Sequence, residues 1–312
     1  MRTKHLRRSR LDTGRSGTGM LLYLVKHSRP DISNGVRELT KCMDGATLAA
    51  YREMLRVIKY VLDTKQWGLK LEPTLPDGQL VWNLVVYTDS DWAGDKDNRK
   101  SVSGFIMYLC GVPIMWRSKQ QQSVALSSSE AEYIAVSEAA KEIMFVLNVL
   151  ESLNIEVQSP VTVRVDNMGA IFMTENNSSG GRTRHIDTRW HYVKDLVQGG
   201  VLEVIFVKSA ENKSDGFTKN VSTEIYDDHR VSMVWDKSEV CSSVLEFSQA
   251  GRVLSSESRV AVTDLGLSIR DLMSASLDDV WDNPSASIAG SPVIPVQLAV
   301  EVEKILYPGS WY

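Results

Sequence analysis

Four acidic residues of the sequence occupy positions where their carboxylates could act together. Asp89 follows the apolar run LVVYT and Asp166 follows the run VTVRV, and both runs predict buried strands. Glu132 lies on a predicted helix, on the face that carries the apolar residues of that helix. Asp215 begins the last predicted helix, directly after the final predicted strand. The pattern therefore predicts four carboxylates at the edge of one sheet.

A metal centre is the chemistry that this set of residues favours. A buried carboxylate without a partner costs several kcal/mol, and Mg²⁺ is a suitable partner because it prefers hard oxygen ligands. Two such ions about 4 Å apart could activate a water molecule and stabilise a leaving oxygen, so no Ser, Cys or His nucleophile is required. Each acid alone is typical of a turn or a helix cap, and Asp215 alone also suits a helix N-terminus. The four together favour the metal site.

Alternating strands and helices must position these acids. Strands are predicted at residues 82–88, 104–109, 112–117, 161–165 and 202–207. Helices are predicted at residues 130–150, 169–174 and 187–197, with serines 127–129 as the first N-cap, and a last helix begins near Ser214. The order β-β-β-α-β-α-α-β-α, with the first three strands antiparallel, predicts an α/β fold with a mixed five-stranded sheet flanked by helices.

Composition divides the chain of 312 residues into four predicted regions. Residues 1–18 form a basic, flexible arm. Residues 19–80 form a helical segment, with an amphipathic helix that ends near Thr64 and a turn-rich boundary at Pro73 and Pro76. Residues 81–220 hold the sheet, and residues 221–312 form an acidic, Ser-rich tail of unassigned role, with helices predicted at 260–274 and 296–306.

Five segments carry a family resemblance: YTDSDWAGD, SSSEAEYIA, VRVDN, RTRHIDTRWHYVKD and NKSDGFTK. In this order and spacing the chain resembles the ribonuclease H region of copia-type long-terminal-repeat retrotransposon polyproteins. The preceding segment GMLLYLVKHSRPDISNGVRELTKCM resembles the end of the reverse transcriptase in such polyproteins. The resemblance covers residues 14–220 and implies a small helical segment followed by a ribonuclease-H-like domain with a mixed five-stranded sheet. The irregular tail beyond residue 220 resembles nothing in the family.

The resemblance implies an Mg²⁺-dependent ribonuclease that cuts RNA in RNA–DNA hybrids with two Mg²⁺ ions, which Mn²⁺ could replace. The implied catalytic and metal-binding residues are Asp89 in TDSD, Glu132 in EAEY, Asp166 in VDN and Asp215 in NKSD. Asp91 is the rival of Asp89, which continues its strand directly. Glu130 is the rival of Glu132, which lies on the packed helix face. An integrase of the same architecture is disfavoured, because such enzymes place Glu last among their acids.

Two departures from the family pattern limit which activities of the family are expected of this chain. The family more often has Ala where Ser214 stands, and the chain lacks the fingers and palm of the polymerase. The run Tyr226-Asp227-Asp228 is one residue short of a polymerase motif and lies outside the matching region, so no polymerase activity is expected. The alternative hypothesis is a catalytically inactive or co-opted retroelement remnant that binds nucleic acid or a protein partner.

Basic residues after the fourth predicted strand are candidates for substrate binding. They are Arg182, Arg184, His185, Arg189 and His191. Contact with the backbone of the hybrid is one interpretation, and an ordinary solvated helix start is the other. A second basic patch is predicted from Lys96, Arg99, Lys100, Arg117 and Lys119. Trp92 and Trp116 favour core or edge packing over base stacking.

Charge and cysteine content limit which partners and which cellular compartment are expected. The net charge is −4, but residues 221–312 hold 14 acidic and 6 basic residues, so residues 1–220 carry +4. A mildly basic body is compatible with binding phosphate. Three scattered cysteines and no apolar run of membrane-spanning length favour an intracellular protein, cytoplasmic or nuclear, without a membrane. The predicted partners are the RNA–DNA hybrid and the rest of a retroelement polyprotein; the sequence does not determine the oligomeric state.

Overall fold

The computed structural model describes residues 8–43, 47–71, 73, 82–175 and 187–236, without the side chains of 8–13, 175 and 187–190. The chain divides into two compact units, residues 1–240 and 241–312, and all of the described residues lie in the first. The helices are α1 (Arg8–His27), α2 (Ser33–Thr40), α3 (Leu48–Asp63), α4 (Ser128–Ser152), α5 (Met168–Glu175), α6 (Asp187–Gln198), α7 (Asp215–Thr218) and α8 (Thr223–Arg230). The strands are β1 (Trp67–Leu69), β2 (Leu84–Asp91), β3 (Val102–Leu109), β4 (Val112–Gln120), β5 (Val161–Val165), β6 (Leu202–Phe206) and β7 (Val234–Asp236).

The central sheet has five strands in the order β4-β3-β2-β5-β6. Strand β3 pairs antiparallel with both β2 and β4, whereas β5 and β6 continue the sheet in parallel with β2. Cys110 and Gly111 both have positive φ, as a tight hairpin turn between β3 and β4 requires. The predicted mixed five-stranded, ribonuclease-H-like sheet flanked by helices is therefore confirmed.

The long helix α4 covers one face of the sheet, against β2 and β3. It begins where predicted, because the Ser127 hydroxyl accepts a hydrogen bond from the backbone N–H of Glu130 at 3.1 Å. All of residues 130–137 are buried, including Glu132. The first turns of α4 therefore lie inside the protein, and the acid at position 132 cannot be an ordinary solvated helix residue.

The helical segment before the sheet has a small apolar core of its own. That core contains Leu21, Ile32, Val36, Leu39 and Met54. The prediction of a flexible arm over residues 1–18 is wrong from Arg8 onward, because α1 begins there. A Cβ at Gly17 would lie 2.7 Å from Met54 Sδ, so the glycine lets α1 and α3 pack closely. Residues 17 and 18 are both buried by this contact.

The helical segment also attaches to the edge of the central sheet. The Trp116 indole of β4 donates a hydrogen bond to Val25 O at 2.6 Å. The Arg37 guanidinium of α2 donates to the Ser118 hydroxyl at 2.9 Å. Trp116 therefore serves edge packing, as the sequence predicts. In the described part of the chain, none of the helices has the length and apolar character needed to cross a membrane.

Residues 221–236 belong to the folded body and not to the tail in which the sequence analysis placed them. Strand β7 pairs antiparallel with β1, and Leu69 lies opposite Val234. Met233 and Val234 are buried against the face of the sheet that lies opposite α4. The predicted last helix is a single turn, α7, because Lys219 is extended and α8 starts afresh with Ser222 as its N-cap. The helices predicted at 260–274 and 296–306 lie outside the described residues.

Candidate metal centre

Three aspartates converge at one edge of the sheet. Carboxylate oxygens of Asp89, Asp166 and Asp215 all lie within 4.8 Å of one another. Strands β2 and β5 are parallel neighbours with Tyr87 opposite Arg164. Since two further residues along each chain lead to Asp89 in β2 and to Asp166 directly after β5, these acids lie side by side. Asp89 is buried, whereas Asp166 is partly exposed.

Asp215 reaches the other two aspartates because a polar turn before it is anchored to the sheet. The buried Asn212 side chain donates a hydrogen bond to Thr88 O at 2.9 Å, and it accepts one from the Ser214 hydroxyl at 2.7 Å. The Asp215 N–H donates to Asn212 O at 3.1 Å and starts α7. Ser214, the residue that departs from the family pattern, therefore has a structural partner here.

Gly104 of β3 allows α7 to lie this close to the sheet. It pairs directly with Asp89 across the strands. A Cβ at this position would lie 2.6 Å from Thr218 Cγ2 and 2.8 Å from Phe217 Cβ. Only a residue without a side chain leaves space for the helix that presents Asp215.

Glu132 reaches the same edge from α4. Its Oε1 accepts a hydrogen bond from the backbone N–H of Ser90 at 3.1 Å, directly after Asp89 in the chain. Burial, reinforced by Asp89 and Asp166, raises the pKa of Glu132 to about 9. The structure therefore brings all four sequence-predicted acids to one place.

Asp89, Glu132 and Asp215 have raised pKa values, so they hold protons more tightly than isolated carboxyl groups. Burial, with the negative charge of Asp89 in addition, raises the pKa of Asp215 to about 7. Burial also raises the pKa of Asp89, although the Lys219 ammonium opposes that shift. Carboxylates packed together out of water repel one another and lose hydration, which makes their ionised forms costly. A cation at this position would remove that cost.

Two side chains from the end of α7 contact the cluster. The Thr218 hydroxyl donates a hydrogen bond to Asp89 Oδ2. The Lys219 ammonium lies 3.1 Å from Asp215 Oδ2 and 3.5 Å from Asp89 Oδ1. Asp166 Oδ2 accepts a hydrogen bond from Ser209 at 2.6 Å. Thr218, Lys219 and Ser209 were not singled out from the sequence, although the first two stand in the segment NKSDGFTK.

The residues present fit a divalent metal ion. Among the described residues, Asp215 Oδ1 and Glu132 Oε2 are buried oxygens without a hydrogen-bond partner. The converging side chains offer carboxylate oxygens, which Mg²⁺ and Mn²⁺ accept as ligands. Unpartnered buried oxygens are rare in proteins and require an explanation. A cation bound between these carboxylates would supply one.

The two rival acids have other contacts. Glu130 accepts a hydrogen bond from the Leu126 N–H at 2.8 Å, so it caps the start of α4. Asp91 packs on the backbone of Gly94, and its charged neighbours include Arg37 of the helical segment. Neither rival, nor Glu132, belongs to the group of three converging aspartates found among the described residues, but Glu132 adjoins that group through its hydrogen bond from the backbone of Ser90.

Of the five candidate substrate-binding residues, only His191 has a described side chain. Arg182, Arg184 and His185 lie outside the described residues, and so does the side chain of Arg189 in α6. His191 is exposed on α6. The predicted second patch does not act as one set of free cations, because Arg117 pairs with Glu142 at 2.7 Å. Trp92 is 49% exposed, so the predicted packing role describes it poorly.

Comparisons with known proteins agree with this architecture. The chain is 35% identical over 204 residues to the retrovirus-related Pol polyprotein from transposon RE1 of Arabidopsis thaliana, a match that covers 65% of this chain and 14% of that protein. It is 39% identical over 127 residues to secreted RxLR effector protein 161 of Plasmopara viticola, covering 41% of this chain and 86% of the effector. No family model matches the chain.

Comparison with solved structures finds ribonucleases H. A ribonuclease H1 isolated from compost by a metagenomic approach is similar to 47% of this chain and 96% of its own, with 16% identity and a TM-score of 0.34. The chain spans about a seventh of the length of the transposon polyproteins that it matches.

Proposed function

Since the chain belongs to the family of retrovirus-related Pol polyproteins from copia-type transposons, we propose that its sheet domain, residues 81–220, is a metal-dependent ribonuclease. The proposed reaction is the endonucleolytic hydrolysis of RNA in RNA–DNA hybrids. The observation that carries the proposal is the convergence of Asp89, Asp166 and Asp215 beside Glu132. Among the described residues, one buried oxygen of Asp215 and one of Glu132 lack a hydrogen-bond partner.

The proposed roles follow from the positions of the side chains. Asp89, Asp166 and Asp215 would hold two Mg²⁺ ions, or Mn²⁺ ions, with Glu132 reaching them from α4. Two bound ions supply activation of a water molecule and stabilisation of the leaving oxygen. Thr218 orients Asp89 through its hydrogen bond, and Ser209 orients Asp166. Asn212 fixes the turn that presents Asp215 to the other acids.

The proposed substrate is an RNA–DNA hybrid because its RNA strand carries 2′-hydroxyl groups, which distinguish it from DNA. RNA can be recognised by contacts to 2′-hydroxyl groups in a wide, shallow minor groove, without reading bases. His191 on α6, and the basic residues that precede this helix in the sequence, would contact the backbone. The remaining part of a polyprotein is the other proposed partner. We expect no polymerase activity from this chain.

A cleavage assay tests the proposal directly. We expect the chain to cut a labelled RNA–DNA hybrid in Mg²⁺ and to stop cutting in EDTA. Asp166→Asn should lower the cleavage rate by roughly a thousandfold or more, while the melting temperature and hybrid affinity stay close to those of the parent. Asp195→Asn, at an exposed acid on α6, is the matched control and should cut normally. Equal rates for Asp166→Asn and the parent would refute the site assignment.

A second function is supported by one comparison. The similarity to a protein named as a secreted effector, over most of its length, favours the alternative that related fragments serve as co-opted binding proteins. In that case the parent would bind the hybrid or a protein partner, and Mg²⁺ would produce no cleavage. Measuring binding and cleavage on the same labelled hybrid separates the two functions.

A further inference from the structure

The ammonium group of Lys219 stands among the acids that are proposed to bind metal. It lies 3.1 Å from Asp215 Oδ2 and 3.5 Å from Asp89 Oδ1, so it bridges two acids that belong to different elements. Thr218, the preceding residue, bonds to Asp89 as well. A single positive charge thus partly neutralises a cluster of four carboxyl groups and helps to hold α7 against the sheet.

We propose that Lys219 is a built-in counter-ion that occupies part of the metal site and competes with divalent cations for Asp89 and Asp215. This inference rests on the proposed metal-binding function. A divalent ion and an ammonium repel each other, and both are attracted to the carboxylates of Asp89 and Asp215. The side chain of Lys219 must therefore move aside before both acids can bind metal.

The surroundings of Lys219 allow this movement. Its side chain is 40% exposed, although the carboxylates it contacts are almost fully buried. It also lines a groove of about 430 Å³ between the helical segment and the end of α7, together with Asn34, Asn220 and Tyr226. Rotation of the flexible stem would carry the ammonium out of the cluster and into this groove. Lysine thereby keeps α7 in place without blocking metal entry permanently.

Metal binding by neutral variants tests the inference without an activity assay. Titration calorimetry with Mn²⁺ alone would compare the parent with Lys219→Met, Lys219→Gln and Lys219→Arg. We expect both neutral variants to bind Mn²⁺ about tenfold more tightly, because a competing charge close to the site is removed. Lys219→Arg keeps the charge and should stay within about threefold of the parent. Lys141→Met, at an exposed lysine of α4, controls for the change in net charge and should leave the affinity unchanged.

The outcomes separate this inference from the proposed function. Tighter Mn²⁺ binding by a folded neutral variant, beyond that of Lys141→Met, supports competition by Lys219. If the parent binds Mn²⁺ and both neutral variants bind it equally or more weakly, the counter-ion role is wrong while the metal site stands. If the parent and every variant fail to bind Mn²⁺, the proposed function fails, and the inference fails with it. Lys219→Met and Lys219→Gln place different neutral side chains at this position. If one of these variants does not fold, the Mn²⁺ affinity of the other still tests the inference.

Discussion

Two buried carboxyl sites of this protein are partnered in opposite ways. In the helical segment, Asp31 accepts hydrogen bonds from Arg29 at 2.9 and 2.7 Å and from the Tyr60 hydroxyl at 3.0 Å. At the edge of the sheet, Glu132 and Asp215 each keep one buried oxygen without a partner among the described residues. The first site satisfies its charge with groups of the chain, whereas the second leaves two buried oxygens without a hydrogen-bond partner among the described residues.

The difference separates a structural acid from a functional one. A carboxylate that serves stability is enclosed by donors, because an unpaired buried charge destabilises the folded state. The acids at the sheet edge are held by the backbone N–H of Ser90, by Thr218 and by Ser209. Two buried oxygens among the described acids still lack a hydrogen-bond partner. Such an arrangement is costly in the absence of a cation and is typical of sites that bind one.

The largest effect on stability is expected from Asp31→Ala. Removal of this carboxylate leaves the buried Arg29 guanidinium with Thr64 as a hydrogen-bond partner but without the opposite charge of Asp31, which should lower the free energy of unfolding by about 3–5 kcal/mol. Asp227→Ala, which breaks an exposed ion pair with Arg230, should cost about 1 kcal/mol or less. Urea denaturation measures both. Similar losses of unfolding free energy for Asp31→Ala and Asp227→Ala would show that Asp31 is not a structural acid that stabilises the fold.

The acid cluster should make the metal-free protein less stable as the pH rises. The pKa of Glu132 is raised from 4.5 to about 9, so the folded chain keeps a proton that the unfolded chain releases. The stabilisation is complete below pH 4.5 and is lost as the pH approaches 9. We therefore expect the melting temperature in EDTA to fall across this window. Glu132→Gln should flatten the decline, and an unchanged slope would show that Glu132 does not titrate in this way.

Gly104→Ala tests whether the close approach of α7 builds the site. The added Cβ meets Thr218 and Phe217, so the helix must shift, at a cost of about 1–3 kcal/mol. We also expect weaker Mn²⁺ binding, because Asp215 moves with the helix. Gly216→Ala lies on the same helix with open space around its Cβ and should be nearly neutral. Calorimetry measures the Mn²⁺ affinity and urea denaturation measures the free energy of unfolding. Equal values for Gly104→Ala and Gly216→Ala would contradict this explanation.

The smallest effect is expected from Tyr226→Phe in α8. The Tyr226 hydroxyl bonds to Asp31 O at 3.2 Å and lies 3.1 Å from the Tyr60 hydroxyl. Its loss should cost about 0.5–1.5 kcal/mol in urea denaturation, because one partly buried hydrogen-bonding group loses its partner. Tyr23→Phe, at a 63% exposed ring, is the control. If Tyr226→Phe changed the free energy of unfolding as little as the control does, this contact of α8 would contribute little to the stability of the helical segment.

Most of the sheet and the four acids could be predicted because local periodicity and motif order encode them. Strand β5 coincides with its prediction, and α3 and α4 end within two residues of theirs. Strands β1 and β7 could not be predicted, since three residues are too few for an alternating pattern to be read. The helical arm from Arg8 was missed for a related reason, because burial against α3 and not local composition stabilises it.

The sequence by itself determined which carboxylates end strands or share the apolar face of a helix, because these positions follow from patterns a few residues long. Only the tertiary structure decided that Asn212, Gly104 and Thr218 position those acids and that Lys219 lies among them. Contacts of this kind join residues more than a hundred positions apart, as Thr218 and Asp89 are, and no local pattern specifies such a distance. The acids are thus encoded locally, and the environment that raises the pKa values of Asp89, Glu132 and Asp215 is produced by packing.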